Sequence, residues 1–169
     1  MNIRDWSSDV CSSDLASDIV VRVAKERADV EATIAVSMFS PAVTATAPPN
    51  LLVIVGAWEG ALIEEAIRAV GLATQEPPEP GVTYGDFADG TARRIAVSPS
   101  VEHIAVLYSE ASLSEAVGWL DAAFGRDRAA PPETSGRLGW IGLLVLGIVV
   151  LARPLSRLLP VVSPVPRGA

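Results

Sequence analysis

The sequence is short of the residues from which most protein chemistry is built. Its 169 residues hold one cysteine, Cys11, one histidine, His103, and one lysine, Lys25. A lone cysteine excludes an internal disulfide and any site made from several thiolates. The redox compartment therefore goes unread. With a formal net charge of -7 and so little lysine, the chain lacks the basic face that nucleic-acid phosphates require, so no nucleic acid is expected as a partner. No metal and no cofactor are expected either.

The amino-terminal fifteen residues also lack the basic start and the long apolar run of a secretory signal. In their place stands "DWSSDVCSSDL", residues 5–15, which repeats Ser-Ser-Asp around Cys11. Serine and aspartate are turn and cap residues, and Ser13 or Asp14 is placed to cap a following helix. As a metal site the stretch is poor, because it mixes a soft thiolate with hard carboxylates and has no histidine nearby. These eleven residues match, one for one, the translation of a common sequencing-library adapter. Residues 1–15 are therefore expected to be adapter-derived and not native. On that expectation the natural sequence starts near Ala16, and the portion of the gene before it has been cut away.

What the chain does contain is apolar. Half of the residues are hydrophobic and the mean hydropathy is +0.37, which points to a large core, a membrane segment, or both. "ASDIVVRVAKERADV" places Ile19, Val20, Val23, Ala24 and Ala28 on helical spacing and predicts a helix from Ala16 to Arg27. "EATIAVSMF" is β-branched and short, and predicts a buried strand over Ala32 to Ser37. "LLVIVG" is a continuous apolar run, Leu51 to Val55 with Gly56 closing it, as in a parallel strand covered on both faces. "EGALIEEAIRAVG" reads as an amphipathic helix ended by Gly71. "QEPPEPG" is a rigid loop, and "YGDFADGTARRIAV" is a hairpin turning at Asp89-Gly90 with a strand over Arg94 to Val97. "SEASLSEAVGWLDAAF" predicts a last helix, with Leu113, Ala116, Val117, Leu120 and Phe124 on its apolar side and a capping box from Ser112 to Glu115. Strands alternating with helices imply an α/β layered fold.

Composition then shifts. Residues 126–137, "RDRAAPPETSGR", read as a linker. Residues 138–152, "LGWIGLLVLGIVVLA", are uncharged between Arg137 and Arg153 and are expected to form a transmembrane helix, followed by a tail over 153–169. Fifteen helical residues span only about 22 Å, short of the roughly 30 Å hydrocarbon core. Flanking arginines that snorkel and an interfacial Trp140 make up the difference. A buried core helix is the competing reading. The arginines are balanced on the two sides, so a membrane location carries no orientation.

In open α/β sheets, functional groups project from loops at the carboxyl ends of the strands. Glu59, in Gly56-Ala57-Trp58-Glu59, and His103, in "SPSVEHIAVLYS", both occupy such places. "NLLVIVGAWE", "VEHIAVLYS" and "EAVGWLDAAFG" together resemble the carboxyl-terminal half of an α/β-hydrolase over residues 16–125. The resemblance implies a partial hydrolase-like sheet flanked by helices. It also implies a triad running serine, acid, histidine along the chain, with Glu59 as the acid and His103 as the base. The substrate would be a carboxylic ester or related acyl compound, and the setting a membrane-anchored, bacterial-type enzyme. The G-x-S-x-G elbow of that family is absent. "ASDIVVRVA" is similar to the helix that follows it, so Ala16 would close the lost motif and the chain would be an inactive fragment.

Other readings stand beside this one. His103 could be a structural histidine, and Glu59 a cap on the next helix. Asp86 and Asp89 are rival acids, although Asp89-Gly90 suits a turn. Ser37-Met38 lacks flanking glycines and is rejected as a nucleophile. Trp58 and Trp119 read as packing residues. For the whole chain, the alternatives are a non-catalytic, membrane-tethered α/β binding domain or the soluble part of a multi-spanning membrane protein.

Overall fold

The computed structural model describes residues 15–128 and 137–157. The adapter-like stretch up to Asp14, linker residues 129–136 and the tail beyond Arg157 lie outside the described residues. The chain forms two units, Met1–Ser135 and Gly136–Ala169.

The first unit is α/β. Helix α1 (Leu15–Glu26) leads into β1 (Thr33–Val36) and β2 (Leu51–Gly56). Helix α2 (Gly60–Gly71), β3 (Thr83–Tyr84), β4 (Arg93–Ser98), a short 3₁₀ helix at Ala105–Tyr108 and α3 (Glu110–Ala123) follow. The sheet order is β1-β2-β4-β3. β1, β2 and β4 run parallel, and the short β3 pairs antiparallel with the start of β4. Every residue of β2 is buried, as its unbroken apolar run predicts for a central parallel strand. Because side chains alternate across a strand, β2 feeds two cores. Leu51, Val53 and Val55 pack with Val21 of α1 and Ala66, Ala69 and Val70 of α2. Leu52 and Ile54 pack on the other face with Ala96, Val106 and Trp119 of α3.

Asn50 locks the amino end of this sheet. It adopts φ 41°, a left-handed conformation that asparagine tolerates better than most residues. Its side-chain amide donates to the carbonyls of Glu31 and Phe87. Its side-chain oxygen accepts the Ala92 amide, and its main-chain carbonyl accepts the Trp119 indole N–H at 2.8 Å.

Several expectations are corrected. The helix α1 is in place and Ala24 is buried as expected, but Ile19, Val20, Val23 and Ala28 face outward while Ser17 and Val21 are buried. The Ser17 hydroxyl donates to the carbonyl of Val36, and that bond sets the helix's rotation against β1. The same kind of rotation separates expectation from structure in α3. Its buried positions are Ser112 and Trp119, with Ala116 packed alongside, whereas Leu120 and Phe124 are exposed. No capping box forms there. The helix starts at Glu110, the Ser112 hydroxyl meets that of Ser98 at 2.5 Å, and Glu115 holds Arg94 in a two-pronged ion pair. The hairpin turns through Gly90 at φ 69° as expected, but β3 is only two residues long.

The second unit is helix α4, Arg137–Ser156, five residues longer than the sequence segment suggested. Twenty helical residues measure about 30 Å, the thickness of a hydrocarbon core. Gly139–Ser156 is long and apolar enough to cross a membrane, and none of it is buried in the protein.

One side chain is expensive. Arg93 is fully buried, and only one of its nitrogens is bonded, to the Ala92 carbonyl, leaving Nε and the other Nη without a partner. Burial pushes its pKa below the ordinary arginine value, because desolvation disfavours the charged form. A buried cation without a carboxylate is a net cost. Arg93→Met is expected to raise the unfolding free energy by about 1–2 kcal/mol, read as a higher urea midpoint at unchanged slope. A lowered midpoint would show that the guanidinium stabilises the fold.

Candidate functional site

Two adjacent parallel strands, β2 and β4, end side by side at Gly56 and Ser98. The loops leaving them carry Glu59 and His103. Main-chain bonds knit the two loops together: the Ala57 amide donates to Ser98, and the Trp58 amide donates to Val101. Gly56 is required at this junction. A Cβ there would lie 2.5 Å from the Val101 carbonyl oxygen and 3.0 Å from a Glu59 carboxylate oxygen, so only glycine lets the two loops approach.

Glu59 occupies the position before α2, yet its side chain makes no cap bond to that helix. The carboxylate turns back towards the strand ends, which overturns the capping role. One oxygen lies 2.7 Å from His103 Nδ1. The other accepts the Ser37 hydroxyl at 2.7 Å and the Gly56 amide at 2.6 Å. The carboxylate side chain is 5% exposed, and the imidazole is 51% exposed. A buried carboxylate is tolerable only when its lone pairs are satisfied in this way. No hydrogen bond with the described residues reaches His103 Nε2. With the carboxylate accepting from Nδ1–H, the imidazole presents Nε2 as its acceptor, the arrangement of a general base with an orienting acid.

Sequence reasoning thus paired Glu59 and His103 correctly in space but missed their third partner. Ser37 follows β1, is 1% exposed, and sits at φ 48°. Its hydroxyl points at Glu59, on the far side of the carboxylate from the imidazole. It holds the carboxylate oxygen that His103 does not contact. The available signal was register: Val36 lies beside Ile54, so Ser37 must emerge next to the β2 end. The head of α1 belongs to the same neighbourhood, because Ser17 bonds the carbonyl of Val36, the residue before Ser37.

The rival acids are elsewhere. Asp86 caps the Ala88 amide and, with Asp89, occupies the turn before β4, at the opposite end of the sheet. Trp119 is a packing residue, tilted against Phe87 with centroids 4.5 Å apart. Trp58 is not: it is 71% exposed. Among the described residues, no three His, Cys, Asp or Glu side chains converge as metal ligands. Comparison with models of protein families, with curated proteins and with solved structures yields no match to this chain.

Glu102, next to the imidazole, braces the loop. Its carboxylate accepts the amides of Ile104 and Ala105 at 2.9 and 3.0 Å. These two bonds hold its pKa below the ordinary carboxylate value. A depressed carboxylate contributes order above its unfolded pKa and loses it as pH falls through the folded one. The Ile104 and Ala105 amide resonances are therefore expected to titrate together in acid, with a midpoint below that of a free glutamate, and Glu102→Gln is expected to abolish the step. Ser37 allows a second measurement. Ser37→Ala removes a hydrogen bond to a buried carboxylate and is expected to cost about 1–3 kcal/mol in denaturant unfolding. Ser37→Gly should cost less, since glycine is unstrained at positive φ. The reverse order would mean that relief of the left-handed backbone does not offset the extra freedom glycine gives the unfolded chain.

Proposed function

We propose that this chain carries the acid–histidine half of a serine hydrolase acting on carboxylic esters or related acyl compounds. The observation that supports it is the 2.7 Å bond between His103 Nδ1 and a buried Glu59 carboxylate at the ends of neighbouring parallel strands. In this reading His103 Nε2 removes the proton of a serine hydroxyl and later returns one to the leaving group. Glu59 fixes the tautomer and stabilises the imidazolium that forms. In this reading the serine would stand ahead of α1, whose first turn is held beside β1 by the Ser17–Val36 bond. Two serines in the described site, Ser37 and Ser17, are already committed to Glu59 and to Val36. The 169-residue chain is accordingly inactive by itself. In the same reading α4 crosses a bilayer and anchors the enzyme.

A fluorophosphonate probe tests this. The 169-residue chain is expected to remain unlabelled. A longer chain translated from the uncut gene is expected to label, and His103→Ala and Glu59→Gln should each slow labelling by on the order of 10⁴-fold. His103-dependent labelling of the short chain would contradict the reading. So would an uncut gene with no serine elbow ahead of Ala16.

A further inference from the structure

One edge of the sheet is open. β1 is its outer strand. The amides of Thr33 and Ser37 donate to Asn50 and Ile54 on the β2 side. By the alternation of a parallel strand, the amide and carbonyl of Ile34 and the amide of Val36 therefore point away from β2. The Ser17 hydroxyl claims the Val36 carbonyl, and among the described residues no strand lies on that side to receive the other groups. Native edges are blunted by brevity, charge, proline or a bulge. The far edge is blunted, because β3 is two residues long. β1 reads Thr-Ile-Ala-Val in regular register with β2, with neither charge nor proline.

The ground beside this edge is apolar. Ile19, Val20 and Val23 are each about half exposed. With Val30, Thr33 and Ile34 they line an open cleft of about 250 Å³ shared by α1 and β1. Thr33 is 2% exposed, and its hydroxyl has no hydrogen-bond partner. A buried hydroxyl left unpaired is costly, and a main chain entering the cleft supplies what it lacks. Charge does not oppose a second copy here. Asp18 and Lys25 turn to the other flank of α1, where they meet Ser40 and the Ala42 carbonyl. Residues 16–37 hold three basic and four acidic side chains, a net charge of -1 in a chain of -7.

We propose that two copies of this chain join through their β1 edges. The partner an open edge accepts is an uncharged strand with unmet main-chain groups, and β1 of another copy is such a strand. A two-fold axis perpendicular to the sheet sets the strands antiparallel, with Ile34 of one copy opposite Ile34 of the other. Each Ile34 amide then donates to the opposite Ile34 carbonyl, and the two four-stranded sheets become one. The same axis keeps both α1 helices on one face and turns their Ile19, Val20 and Val23 flanks towards each other. The contact is isologous and closes at two copies. It uses neither Glu59 nor His103.

The test is sedimentation equilibrium of the full chain in density-matched detergent, paired with residue-resolved hydrogen exchange. A dimer that dissociates on dilution is expected. In the dimer, exchange at Ile34 and Val36 should slow by on the order of 10-fold relative to the diluted protein, while Ala35, which faces β2, stays unchanged. Val20→Glu, on an exposed helix position, should raise the dissociation constant by on the order of 10-fold or more with helix content unaltered. Trp58→Glu, at the carboxyl end of the sheet, should leave it unchanged. A monomer at every concentration overturns the proposal, and one with slow exchange at Ile34 and Val36 shows that the chain's own amino-terminal segment covers the edge. A dimer in which those two amides exchange freely is held by α4 or another surface, and that also overturns it. So does a dimer that survives Val20→Glu or is lost with Trp58→Glu.

Discussion

A single carboxylate organises the carboxyl end of the sheet. Glu59 is withdrawn from water, and a withdrawn negative charge must find donors for its lone pairs. Three donors arrive from three segments: the hydroxyl of Ser37 after β1, the amide of Gly56 ending β2, and the ring of His103 after β4. Each donor constrains its own backbone. Ser37 takes up a left-handed conformation, Gly56 forgoes a side chain so that Val101 can approach, and His103 is set on a turn braced by Glu102. If the carboxylate lost its place, three loops would lose their common point.

The opposite end of the sheet is held by a different device. Asn50 joins the approach to β1, the turn before β4, and α3 through neutral hydrogen bonds, with Trp119 filling the space beneath Phe87. Neutral bonds on a buried amide cost little to assemble, whereas the Glu59 cluster keeps a charge and a half-exposed imidazole in tension with burial. The carboxylate is tolerable in that place only because donors from three segments satisfy it. Arg93 shows what a buried charge is like without such compensation.

Much of the architecture was legible because the strands of a parallel sheet announce themselves. "LLVIVG" carries no polar residue, and a chain segment of that kind has nowhere to go but the centre of a covered sheet. Glycine at 56 and at 90 marked the ends of strands and the hairpin turn through their tolerance for close contact and positive φ. Helix faces were less legible. In α1 the outward Ile19, Val20 and Val23 are together more hydrophobic than the inward Ser17, Val21 and Ala24. Periodicity weighs hydrophobicity alone and cannot register the Ser17–Val36 bond that turns the helix. Ser112 misled for a related reason: a serine followed three residues later by glutamate reads as a cap, but here both side chains are claimed across the interface by Ser98 and Arg94.

The order of strands and helices, the placement of Glu59 and His103 just past two strand ends, and a carboxyl-terminal segment of membrane-spanning character were determined by sequence alone. Each follows from local pattern: apolar runs, turn residues, and the absence of charge over a stretch of chain. Tertiary structure alone decided that Ser37 faces the acid, that Glu59 turns away from its own helix, and that Trp58 and Ile104 stand exposed beside the imidazole. Those facts depend on contacts between residues 22 and 44 positions apart. Such contacts are set by which strand lies next to which, and no window of sequence contains that information.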